Sequence, residues 1–291
     1  MIERQLYATL RAMPASLLAA LFALAAAAAW GSGDFCGGLV SRRIGALATV
    51  SISYAVGMAA LAAVALARGE LFPAPADVLW GAVAGLTGVA GLGFLMRGFA
   101  AGRMGIVAPV SAVLAASLPV IVAALTLGLP GGRQLAGFSL ALAGIWLLSR
   151  PERLGGRPAG LGLALLAGLG FGLFFIALDQ VSGRAVFWPL VAGRLAALAA
   201  LIPLAVARGR PVLPRGAPWG LLALAGVLDA GGNLFFLLAT QTGRLDVAAV
   251  LASLYPAVTA LLAWRIAGER LTRLQIAGAA AAVVAIALIT M

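Results

Sequence analysis

Long apolar runs separated by short polar breaks recur from one end of the chain to the other, and this rhythm predicts the fold. A helix needs about 17–25 apolar residues to cross the hydrocarbon of a bilayer. Runs of that kind lie near Ala15 to Cys36, Ala46 to Ala67, Val78 to Ala101, Ile106 to Leu127 and Gln134 to Leu148. A second set lies near Ala159 to Leu178, Val186 to Ala207, Pro218 to Ala239, Leu245 to Ile266 and Leu274 to Met291. The pattern predicts an all-α membrane protein with ten transmembrane helices, the fifth of them short. Barrel strands would be segments of about 10 alternating residues, and no stretch alternates with period two. Lipid-facing backbone must satisfy its hydrogen bonds within its own segment, which leaves helices.

Small motifs recur in the same order in the two halves. "LARG" ending at Gly69 answers "VARG" ending at Gly209, and Trp80-Gly81 answers Trp219-Gly220. Gly102-Arg103 answers Gly243-Arg244, "VLAASLP" ending at Pro119 answers "VLASLYP" ending at Pro256, and "QLAG" from Gln134 answers "QIAG" from Gln275. The chain therefore divides into repeats at 1–150 and 151–291, each with five helices. An odd number makes the second repeat start on the opposite side of the membrane, so the repeats are expected to be inverted. Inverted repeats can expose a central site to either side in turn, which points to a carrier.

Composition agrees: 63% of the 291 residues are hydrophobic and 10% are charged, leaving no room for a soluble domain between the runs. The formal net charge is +11 and every basic residue is arginine. The arginines punctuate the breaks instead of clustering on one face, so they read as loop and headgroup contacts and not as a nucleic-acid surface. A single cysteine, Cys36, excludes an internal disulfide and a thiolate metal cluster, and reads as a small packing residue. No histidine is present, which removes the commonest general base and metal ligand. No cofactor, no metal and no catalytic residue are expected. Arg4 and Arg11 before the first run resemble a signal-peptide charge region, but that run has a counterpart in the second repeat.

The candidate transport residues are those that hydrocarbon tolerates poorly. Arg194 falls midway along the seventh run and Asp229 midway along the eighth. Ionisable groups at that depth usually face a cavity or a partner. Two readings stand side by side: a static buried pair joining the helices, or Arg194 holding an anionic substrate group while Asp229 meets an amine or a proton. Asn233 is one turn beyond Asp229 on the same face, with Gly231 and Gly232 between them allowing close approach. Phe171, Phe174 and Phe175 form a stripe at helical spacing that is either packing or an aromatic wall of a site. Trp30, Tyr54 and Tyr255 face the same choice, with Trp30 also suited to an interfacial anchor. Pro109, Pro119 and Pro256 interrupt apolar helices and are candidate hinges; Ser111, Ser117 and Ser253 lie close enough to satisfy the carbonyls they free. The glycine runs from Gly85 and Gly168 lack the lysine of a phosphate loop and read as helix contacts.

"WGSGDF", Trp30 to Phe35, places two glycines and a serine before Asp34. The expectation is that the first helix ends or unwinds there, setting Asp34 at headgroup depth or a cavity mouth. Arg42 and Arg43 are its nearest cations in sequence, for a gate or for a static helix-end contact.

Ten helices in two repeats, "WGSGDF", the prolines of the fourth and ninth helices and "GERLTRLQIAG" from Gly268 to Gly278 together resemble the EamA-type transporters of the drug/metabolite transporter superfamily. The resemblance spans essentially the whole chain. It implies an exporter-like carrier of small metabolites, amino acids among them, with a cavity between the repeats and both termini in the cytoplasm. The acid of the Gly-Glu motif occurs once, as Glu269, because the first repeat reads "LGLPGGRQLAG" there. The loop arginines are more numerous on the side opposite the amino terminus, which by the positive-inside rule favours the reverse orientation. Arg4 and Arg11 flank the first helix and favour an amino terminus inside, the orientation adopted. The expected protein is a multi-pass protein of a bacterial-type plasma (inner) membrane whose partners are a small-molecule substrate, the lipid bilayer and, through Asp229 or Asp34, a proton. No ATP-using domain is visible, so the energy would come from a gradient. An intramembrane enzyme lacks its histidine, zinc motif and paired catalytic carboxylates. A non-transporting scaffold or receptor is the alternative, in which Arg194 and Asp229 could be exchanged for apolar residues without loss of function.

Overall fold

The computed structural model describes residues 13–101, 104–149, 160–209, 214, 216–268 and 270–290. Glu269 and the arginines Arg4, Arg11, Arg103, Arg150, Arg153, Arg157, Arg210 and Arg215 lie outside the described residues. Among the described residues the secondary structure is helical, with no strand. The helices are α1 (Ala15–Ile44), α2 (Ala46–Ala67), α3 (Pro75–Ala101), α4 (Met104–Leu127), α5 (Gly132–Leu148), α6 (Leu161–Asp179), α7 (Phe187–Ala207), α8 (Trp219–Thr242), α9 (Leu245–Ala252), α10 (Tyr255–Ala267) and α11 (Arg273–Thr290).

Two expectations are corrected. The first helix does not end at "WGSGDF": α1 continues to Ile44. Its glycines serve packing instead, since a Cβ on Gly31 would strike Val258 at 2.6 Å, and Thr259 Oγ1 donates to the Gly31 carbonyl at 3.0 Å. The ninth run is not one helix. It breaks at Ser253 and Leu254 into α9 and α10, with Pro256 in the first turn of α10, where its missing N–H costs nothing. Among the described residues, nine segments are long and apolar enough to span a membrane, Leu245–Ala267 counted as one, and the 17-residue α5 is a shorter apolar helix.

Packing follows the repeat. The first helix of each half lies on the third of the other: α1 on α8, and α6 on α3. The second helices α2 and α7 meet each other, and each also meets the other half's third helix, while α5 pairs with α11. Exchanging the halves leaves this pattern unchanged. Small residues make the approach possible, as expected where lipid removes the hydrophobic drive between helices. At Gly85 of α3 there is no space for a side chain, because the Gly193 backbone of α7 occupies it. Large apolar side chains such as Leu66, Leu125, Val206 and Val283 point outward, as a lipid-facing surface requires.

One end of the bundle is joined by polar contacts between loops and helix ends. The Glu70 carboxylate accepts from the backbone N–H groups of Val186 at 2.9 Å and Phe187 at 3.0 Å, satisfying first-turn donors of α7 that have no intrahelical partner. Its negative charge also suits the positive end of the helix dipole. Asp77 accepts from the backbone and hydroxyl of Ser182 at 2.7 and 2.9 Å, and Gln241 Nε2 donates to the carbonyls of Ser182 and Ala185. Arg244 grips the fully buried Asp246 in a fork and donates to the Gly128 carbonyl at 2.9 Å; the Asp246 bond pushes the Arg244 guanidinium above the ordinary arginine range.

Candidate functional site

Arg194 is the centre of the site. It follows Gly193 on α7, where the close α3 contact leaves its side chain only 2% exposed. A buried cation must find a partner, and Nη1 pairs with Asp229 Oδ2 of α8. The guanidinium carbon also lies 4.3 Å from the centroid of the Tyr54 ring of α2, a cation–π contact. Nε and Nη2 are buried without a protein acceptor. The two residues that stood out by depth in the sequence are thus joined, and Tyr54 holds one face of the pair.

Asp229 is less enclosed, with its side chain 32% exposed. Asp34 of α1 is exposed on the surface of the protein alone and stands within electrostatic reach of Asp229, Tyr54 and Tyr255. The second glycine of "WGSGDF" brings it there: a Cβ on Gly33 would lie 3.4 Å from the Asp229 backbone nitrogen. Two carboxylates, one guanidinium and two phenols from α1, α2, α7, α8 and α10 therefore form one cluster.

Beside it, Trp30 Nε1 donates to Asn233 Oδ1 at 2.9 Å. The indole packs on Phe174, Phe175 and Phe236, with centroids 6.1, 5.8 and 5.8 Å away. Trp30 is thus inside the bundle, not at a headgroup boundary. Gly232 makes room for its ring, whereas nothing lies within 4 Å of the space over Gly231. The aromatic stripe of α6 divides: Phe174 and Phe175 join Trp30, while Phe171 packs against Gly91 of α3. A small cavity of about 20 Å³ lies among α2, α3, α6, α7 and α8, with Tyr54, Arg194 and Asn233 as its polar lining and Phe174 and Leu178 on its apolar side.

The prolines are placed differently from one another. Pro109 and Pro119 lie within the backbone of α4, which runs through both, and Pro256 follows the α9–α10 break. The nearby serines do not cover the freed carbonyls: Ser111 donates to Ala108 and Ser117 to Val113, while the buried Ser253 hydroxyl has no partner. Sequence reasoning passed over Phe236, which completes the aromatic group and could have been found one turn beyond Asn233 on the same face of α8.

The family is decided by the sequence match. The EamA-like transporter family profile matches residues 17–150 and, a second time, residues 158–291. The chain belongs to the EamA-like transporter family. As an EamA-like protein of the drug/metabolite transporter superfamily, it is an integral, multi-pass membrane protein of a family of transporters. A comparison with curated protein sequences finds no match. Among solved structures, a crystal structure at 20% identity superposes with a TM-score of 0.76, covering 93% of this chain and 95% of the other; at that identity the likeness concerns the fold. The EamA-like fold thus places the Arg194 cluster and the cavity where its two matched segments meet.

Proposed function

We propose that this protein is a secondary carrier that exports small metabolites, amino acids or related compounds, by alternating access around the cluster of Arg194, Asp229 and Asp34. The observation that carries the reading is the buried Arg194–Asp229 pair, set between helices of both family-matched segments and beside a cavity. Repeats at 1–150 and 151–291 are inverted in the membrane in this reading, and the exchange symmetry of the helix contacts supports it. So do Trp80 and Trp219, equivalent residues near the starts of α3 and α8. Asn233, Phe174, Phe175, Phe171 and Tyr255 line the substrate path, Trp30 and Asp34 gate it, and Pro109, Pro119 and Pro256 serve as hinges. Asp229, or Asp34 beside it, takes up the coupling proton. The chain resides in a bacterial-type inner membrane with its amino terminus inside.

The test is transport by purified protein in liposomes, with pooled labelled amino acids and related metabolites, with and without a pH gradient. Wild-type activity that Asp229→Asn and Arg194→Gln each abolish, in protein that elutes as a folded species, is the expected outcome. Undiminished transport in both variants would confine the pair to a structural role and sink the assignment of the site.

A further inference from the structure

The cavity has a chemical polarity that the cluster around it does not share. An indole N–H can only donate, so the Asn233 atom 2.9 Å from Trp30 Nε1 is the amide oxygen. With that oxygen committed to Trp30, the NH2 group is what Asn233 has left to offer the cavity it lines. Arg194 lines the same cavity at 2% exposure. Tyr54 covers one face of its guanidinium and Asp229 takes Nη1, leaving the Nε and Nη2 donors buried and unpartnered. That edge presents two parallel N–H groups, the arrangement that matches the two oxygens of a carboxylate. The third polar liner, the Tyr54 hydroxyl, can also donate. Neither Asp34 nor Asp229 is among the lining residues. Buried donors left without acceptors are costly, and a water-sized group is all that the present volume admits.

We infer that this donor-lined cavity is the anion end of the substrate site and takes a carboxylate group, with Trp30 as the positioning residue that holds the Asn233 amide donor-first toward it. The inference rests on the carrier reading above and names the part of the substrate that enters first. A carboxylate binds between the Arg194 edge and the Asn233 NH2 as the lining side chains part, and the rest of the molecule extends toward the two aspartates. An amide in place of the carboxylate brings its own NH2 against donors and is rejected.

The experiment is thermal stabilisation of the full-length protein in detergent by matched probes: L-alanine, L-leucine and L-phenylalanine, their carboxamides, and inorganic phosphate. Wild-type protein is expected to be stabilised by at least one of the free acids, with the corresponding carboxamide weaker by on the order of tenfold or more. Asn233→Asp, which turns the donor into a second anion, removes the response to the acid. Trp30→Phe keeps an aromatic ring but frees the amide to turn, and narrows the gap between acid and carboxamide. Equal responses to acid and carboxamide in the wild type, a stronger response to phosphate than to any acid, or no response to any acid would each overturn the inference without requiring a variant to fold. Liposome transport of a compound without a carboxylate, unaffected by Asn233→Asp, would overturn it while leaving the carrier reading intact. Acid binding of the expected kind without transport of any probe would sink the carrier reading and leave the cavity assignment standing.

Discussion

At Gly85 the Cβ that any other residue would carry falls on the Gly193 backbone of α7. Arg194 follows Gly193 directly, so the depth at which its guanidinium is held depends on this contact. Gly85→Ala is expected to destabilise the protein by about 1–3 kcal/mol, as overpacking does, and to lower its thermal unfolding temperature in detergent. Gly37→Ala, where nothing lies within 4 Å, is the matched control and should be neutral or slightly stabilising, as helix propensity dictates. An unchanged unfolding temperature in Gly85→Ala would mean that α3 and α7 can part without loss. The residues of the site were legible in proportion to how little hydrocarbon tolerates them. Arg194 and Asp229 stood out because a charge inside an apolar run has no ordinary reason to be there. Glu70, Asp77 and Asp246 did not, because a carboxylate at a polar break reads as solvated, and the Glu70 and Asp77 partners lie more than a hundred positions away in the chain.

The helices themselves were legible from run length, and most ends agree closely with the polar breaks. What the runs concealed was continuity. Glycines that would weaken a helix in water are retained inside α1 because α8 and α10 pack on them, and hydropathy alone cannot separate a breaking glycine from a packing one. Prolines pose the same problem, since α4 runs through Pro119 while α9 stops short of Pro256. The residues on either side of that stop have different surroundings: every residue of α9 is buried and none of α10 is. At the element scale the most exposed dependence is that of α7 on Glu70. Glu70→Ala removes the acceptor of two first-turn N–H groups and is expected to cost about 0.5–2 kcal/mol, the range of lost helix caps. Amide hydrogen exchange should report faster exchange at Val186 and Phe187, with the middle of α7 little changed. Protection at those two amides equal to wild type would show that another group caps the helix.

Across the whole molecule the alternation of helices assigns the loops to two ends. Leu71 and Leu129, 87% and 81% exposed, belong to the end where Glu70 and Arg244 make their contacts, and Arg270 belongs to the opposite end. With Cys36 replaced by serine, cysteines introduced at these three positions should react with a membrane-impermeant maleimide in two groups. Arg270→Cys is expected to label in intact cells, and Leu71→Cys and Leu129→Cys only after permeabilisation. The converse pattern would reverse the proposed orientation, and labelling of all three from one side would refute the assignment of the loops to opposite ends. The polar contacts of Glu70 and Asp77 have a last consequence. Two identical halves exchanging roles would pass between conformations of equal energy, like the two positions of a balanced seesaw. In the sequence, "LARGE" in the first half answers "VARGR" in the second, so Glu70 corresponds to Arg210, and Asp77 corresponds to Gly216, next to Arg215. The two carboxylates that accept hydrogen bonds at one end thus have no acidic counterpart at the equivalent positions of the second half. In the alternating-access carrier proposed above, this difference would lift the degeneracy, and the seesaw would rest with one end down.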